Sequence, residues 1–152
     1  YIARRLVIFA AEDVGNADPR ALQTAVATAQ AVQLIGLPEG RIPLAQAVTF
    51  LACAPKSNAS YRAIDAALDV VRKRGALPVP MHLRNAPTRE MKEAGHGRGY
   101  KYPHDYPHHI VAQDYLPDAL RGTRFYEPAD HGVERTIRER LAWWRKKLTD
   151  PE

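Results

Sequence analysis

Residues 77–116 read LPVPMHLRNAPTREMKEAGHGRGYKYPHDYPHHIVAQDYL. This stretch holds five of the twelve prolines, three of the nine glycines and five of the six histidines in the 152-residue chain. Such a density of Pro and Gly forbids long regular elements. Yet Met81, Leu83, Met91, Ile110, Val111, Leu116 and the tyrosines 100, 102, 106 and 115 are large groups that gain by burial. A disordered linker lacks such groups. The composition predicts an ordered segment with little regular structure, pinned across the surrounding helices. Within it Thr88 is expected to cap one short helix that ends at Gly95. Long loops of this kind inside a compact domain are usually functional surfaces.

The flanks of this stretch carry helical spacing. Ile2, Leu6, Phe9, Ala10 and Val14 recur every three to four residues, giving a helix over 2–14 that Gly15 ends. Asp18-Pro19 is a start signal for a second helix, Arg20–Ile35, closed by Gly36. A turn over Leu37–Ile42 leads to a third helix, from about Pro43 to Ala54, stopped by Pro55. Ser57 or Asn58 caps a fourth, with Tyr61, Ile64, Leu68 and Val71 on its apolar face and Arg72-Lys73-Arg74 in its last turn. Asp130 is expected to cap the last helix, Val133–Leu148, whose apolar side is Val133, Ile137, Leu141, Trp144 and Leu148. No run alternates long enough for a sheet, so the expected class is all-α. Residues 1–75 make a four-helix core, and residues 76–152 pack on it as part of one domain.

The second helix is Ala-rich and apolar on more than one side. A helix of that kind is buried in its own core or against another subunit. Ala25 and Ala29 are the expected positions of a subunit interface.

Composition narrows the function classes. There is no run of about 18 apolar residues, hence no expected membrane span. The first residues run straight into helical spacing with no leader-type cleavage pattern and no initial Met, as in a piece of a longer protein. The lone Cys53 permits no disulfide framework, which fits a reducing cytosol, and it reads as a small buried hydrophobe. The net charge is +5, with nine Lys/Arg against six Asp/Glu in residues 1–75 and thirteen against eleven in residues 76–152. That spread permits contact with nucleic acid without demanding it.

The motif candidates are weak when set against their chemistry. Pro55-Lys56-Ser57 lacks the glycines of a phosphate-binding loop, so Lys56 and Ser57 read as a helix-start device. Gly95-His96-Gly97-Arg98-Gly99 follows no strand and reads as a turn. His104, His108 and His109 are bracketed by Pro103 and Pro107 and read as loop histidines rather than a metal site. Tyr100, Tyr102 and Tyr106 interleave with basic residues. That pattern either pins a Pro-rich loop by burying the rings or stacks single-stranded bases, and the pinning role is preferred. Arg84, Arg89, Lys92, Arg98 and Lys101 are the candidate contacts to a partner or to DNA.

Several strings together resemble a known family: Ala17-Asp18-Pro19-Arg20-Ala21-Leu22, Ala54-Pro55-Lys56-Ser57-Asn58-Ala59, His82-Leu83-Arg84-Asn85-Ala86-Pro87-Thr88, Gly99-Tyr100-Lys101-Tyr102-Pro103-His104-Asp105 and Gln113-Asp114-Tyr115-Leu116-Pro117. They are similar to the C-terminal half of the replication-associated recombination protein A family (RarA, or MgsA), kin of the Werner-helicase-interacting ATPases. Lys56, Asn58, His82, Arg84, Asn85, Tyr100 and Tyr102 carry the match. Tyr106-Pro107-His108-His109 departs from it. The resemblance implies an all-α bundle related to clamp-loader oligomerisation domains, which assembles the ATPase into a homotetramer. It implies that ATP, magnesium and the Walker motifs belong to an upstream AAA+ domain, and that this piece is not itself catalytic. It further implies partners reached through the full protein: single-stranded DNA-binding protein and DNA ends, in a nucleoid-associated cytoplasmic setting. The alternatives from other classes are a nucleic-acid-binding module using residues 84–102 and a small metal-dependent enzyme built on the histidines.

Overall fold

The computed structural model describes residues 1–149, which are helical or irregular with no strand. Helix α1 (Ile2–Phe9) runs without a break into a π-wound turn, Ala10–Val14, and then a 3-10 turn, Gly15–Ala17. The periodicity read as one helix to Val14 is therefore present, with a wider last turn that leaves Ala10 and Val14 fully buried. Wider turns of this kind recur at functional or packing constraints.

Helix α2 (Arg20–Ile35) starts as expected. Asp18 Oδ1 accepts the Arg20 backbone N–H at 3.1 Å and also takes the Arg20 guanidinium at 2.9 and 2.7 Å across its two oxygens. The Arg20 hydrogen bond holds the Asp18 carboxyl below its usual range, against the opposing effect of burial. Helix α3 (Arg41–Cys53) begins two residues before Pro43. Pro is tolerated there because first-turn N–H groups have no intrahelical partner. The inward residues of α3 are Ala47 and Leu51, while Cys53 is exposed. The expectation of a buried Cys53 fails because residue 53 falls two positions past Leu51, on the opposite side of the helix.

Helix α4 (Ala59–Arg74) is started by Ser57, whose Oγ accepts the Ala59 N–H at 3.2 Å. Lys56 does not take part in that start. Its ammonium donates to the carbonyls of Leu51, Ala52 and Ala54 and lies 5.6 Å from the Phe9 ring centre. It closes the C-terminus of α3, where orphan carbonyls and the helix dipole favour a cation. Helix α5 (Arg89–Glu93) is capped by Thr88, which accepts the Met91 N–H at 3.3 Å. Helix α6 (Val133–Thr149) is the last. Asp130 lies ahead of its cap position and turns its carboxylate toward His131 and Arg138 instead.

Two compact units divide the chain. The first is Tyr1–Leu68 with Phe125–Arg140; the second is Asp69–Arg124 with the residues from Leu141 on. Set beside a boundary at residue 75, this partition gives 69–75 to the second unit and 125–140 to the first. In that unit α1, α2 and α3 pack on one another around Ala10, Val14, Ala21, Ala25, Leu51 and Ala54. Small side chains at the contact let the helix axes approach closely. Only Val14 and Leu51 contribute large apolar groups to the fully buried set.

The second unit is mostly irregular, as the Pro and Gly content predicts. Short 3-10 turns at Met81–Leu83, Pro103–Asp105, Pro107–His109 and Asp118–Leu120 punctuate it. Side chains and backbone cross-tie it: His82 Nε2 to Asp114 O at 2.8 Å, Gln113 Oε1 to Lys101 N–H at 2.8 Å, and Gly97 N–H to Met81 O at 2.9 Å. Val111 is buried there, and Tyr100, Tyr102 and Tyr106 are 47%, 52% and 37% exposed. The expectation that these tyrosines pin the loop by burying their rings is therefore corrected. Backbone-directed polar side chains hold the loop instead.

Candidate functional site

The most constrained point of the first unit is a carboxylate. Glu134 enters in the first turn of α6 and has no exposed surface. Its Oε2 accepts the Ser57 hydroxyl at 2.6 Å and the Ala129 N–H at 2.7 Å, and its Oε1 accepts the Tyr126 hydroxyl at 2.7 Å. Every partner is a donor, and the helix N-terminus adds a favourable dipole. The Tyr126 oxygen in turn accepts Asn16 Nδ2–H at 3.3 Å, and Asn16 also reaches Ser60 Oγ at 3.2 Å. Burial, and then the Glu134 carboxylate, push the Tyr126 phenol up to about 12.

Two glycines let the backbones close on this network. A Cβ on Gly15, at φ +51°, would stand 2.7 Å from Ser57 O. One on Gly132, at φ +58°, would stand 2.2 Å from Ala17 O. Both positions combine left-handed backbone with direct contact, which only glycine tolerates. Ser57 N–H donates to Asp13 O at 2.7 Å and His131 Nε2 meets Lys56 O, completing the seam. The segments around residues 13–17, 55–60 and 126–134 are thus tied through one buried carboxylate.

This arrangement holds backbone and offers no reaction centre. Both Glu134 oxygens are occupied and none is open to solvent. The cleft of about 380 Å³ beside it is lined by Asp13, Lys56, Asn58, Arg62, Glu127 and His131, a mixed-charge set. Lys56 is already committed to carbonyls. Among the described residues no three His, Cys, Asp or Glu side chains converge as a metal site would require.

The residues expected from sequence are scattered rather than gathered. Lys56 and Asn58 line the cleft beside the Glu134 seam. His82, Arg84 and Asn85 hold the irregular segment: Arg84 Nε donates to Val79 O at 2.7 Å and Asn85 O meets His96 Nδ1 at 3.3 Å. Of the five basic candidates, Arg98 and Lys101 line one groove of about 710 Å³ together with Arg121. Arg84 is bound to backbone, Arg89 pairs with Glu93 at 2.8 Å, and Lys92 is exposed on α5. Ala25 is fully buried among the core residues of its own chain, and Ala29 is half-buried. Ala25 is thus unavailable to a second subunit, because the small-residue face of α2 is used up by α1 and α3.

Sequence reasoning did not find Glu134, Tyr126, Asn16 or Gly132. Glu134 falls between Val133 and the charged side of α6, and no periodicity marks a glutamate as buried.

The model of the family described as MgsA AAA+ ATPase C terminal matches residues 1–145. The chain belongs to that family. It is 50% identical over 147 residues to the replication-associated recombination protein A of Coxiella burnetii, covering 96% of this chain and 33% of that protein. It is 50% identical over 144 residues to the protein of that name from Escherichia coli, covering 94% and 32%. It is 41% identical over 128 residues to ATPase WRNIP1 of Dictyostelium discoideum, covering 84% and 15%. The chain spans about a third of the length of the first two. Among the described residues no helix of this MgsA-type domain is long and apolar enough to cross a membrane.

Proposed function

We propose that this chain is the assembly domain of an AAA+ ATPase that serves replication-associated recombination, and that it joins four copies of itself. The observation that carries the reading is the apolar face of α4. Tyr61, Ile64, Leu68 and Val71 follow one another at spacings of three and four, and each is 42% to 59% exposed. Leu34, Leu37 and Ile42, at the end of α2 and the start of α3, are 85%, 76% and 63% exposed. A row of exposed apolar side chains along one helix face is the kind of surface that a partner covers. A closed symmetric assembly covers such surface in every copy at once. Ala29 stays available to the interface; Ala25 does not.

ATP and magnesium belong, on this reading, to the AAA+ domain that precedes the segment in the full protein. Lys56 supports that division, since its ammonium is spent on the end of α3. DNA ends and single-stranded DNA-binding protein are partners of the whole protein, at the nucleoid. The test is sedimentation velocity on the wild type and on Leu68→Glu. The wild type is expected to sediment as an assembly, and the variant as a smaller species with the same helicity. A variant that assembles like wild type contradicts the role given to α4.

A further inference from the structure

His108 and His109 have φ of 57° and 56°, two consecutive non-glycine residues in left-handed backbone. Left-handed backbone is disfavoured for residues with a Cβ, and strain of this kind collects where a side chain must be aimed. Here it sets the His108 ring edge-on to Trp143, with centroids 5.3 Å apart and planes at 80°. His109 turns the other way and packs tilted against His104, which packs tilted against Tyr102. Beside the His108–Trp143 pair lies a half-enclosed cavity of about 500 Å³, lined also by Tyr106, Ile110 and Lys101. The Trp143 indole is 41% exposed. Lys101 is anchored at the rim by donating to Ala112 O at 3.3 Å.

We infer that this cavity takes an unstacked base of a single-stranded nucleic acid. The pocket has the size range of small-ligand sites and an aromatic wall that a base can stack on. Lys101, Ala112 and Leu148 also line the neighbouring groove, which holds Arg98 together with Asp114, Asp118 and Arg121, the last paired with both carboxylates at 2.9 and 2.8 Å. A ligand seated by its base has, directly beyond it, Arg98 for the phosphate that follows. That continuity favours a polymer over a free nucleotide. The occupant differs from an 84–102 patch in resting on Trp143 and His108, and Arg89 and Lys92 have no part in it.

The test titrates the chain with labelled oligothymidylate of about 15 nucleotides, reading anisotropy and the fluorescence of Trp143 in a Trp144→Phe background. Saturable binding with quenched Trp143 emission is expected. Trp143→Ala and His108→Gly should each weaken affinity by about tenfold or more. Trp143→Phe should retain most of it, and Arg89→Gln all of it. Gly at 108 suits the left-handed backbone, so that variant removes the ring without a folding penalty. A duplex of equal length should compete poorly. Absence of saturable binding, or equal affinity in wild type and His108→Gly, overturns the inference. Binding that Arg89→Gln weakens as much as Trp143→Ala also overturns it, as does a pocket filled only by an aromatic peptide.

Discussion

Glu134 is the residue on which the first unit most depends. Its side chain satisfies Ser57, Ala129 and Tyr126 at once while fully buried. Glu134→Ala strands three neutral donors, each costing about 1–3 kcal/mol when buried without a partner. Glu134→Gln keeps the shape but faces an amide donor toward other donors, and should cost about 1–3 kcal/mol. Urea unfolding checks both, and equal loss in the two variants would contradict the donor count. Tyr126 adds a pH signature. Its folded pKa is raised, so its contribution is fully present below the ordinary phenol value near 10. It is lost as pH climbs through about 12. The difference in unfolding free energy between wild type and Tyr126→Phe should therefore shrink across that window, and a constant difference would contradict the assignment.

Among the helices, α2 and α4 divide the work. The buried small-residue face of α2 makes the core, so Ala25→Glu places a charge where no water or partner exists. Circular dichroism should find that variant largely unfolded, whereas helicity that survives would show Ala25 facing outward. Helical spacing made α1 to α4 and α6 legible to within a few residues, because periodic apolar positions and Pro, Gly and Asp punctuation act locally. Which face of α2 or α4 turns inward was not legible. Both helices carry apolar residues on more than one side, and only packing chooses between them. Cys53 and the tyrosines were misplaced for a related reason: a hydrophobic type says what gains by burial, not what is buried. The Glu134 seam joins residues more than a hundred positions apart, Asn16 to Tyr126, and no local pattern encodes it.

For the whole molecule, self-association and nucleic-acid contact respond to salt in opposite senses. Each copy carries +5, so screening eases repulsion between copies. Oligothymidylate binding instead weakens as counterion release loses its advantage. Raising salt from about 50 to about 200 mM should therefore hold or strengthen assembly while lowering affinity for the oligonucleotide. Weakening of both together would mean that charge, not apolar surface, joins the copies. On the proposed reading the exposed faces of α2 and α4 are what an assembly would cover, and the number of copies is its most direct property. Light scattering on the wild-type chain across a concentration series measures it. The account predicts the mass of four chains, reached well below high micromolar concentration. A single-chain mass persisting at high micromolar concentration would contradict it.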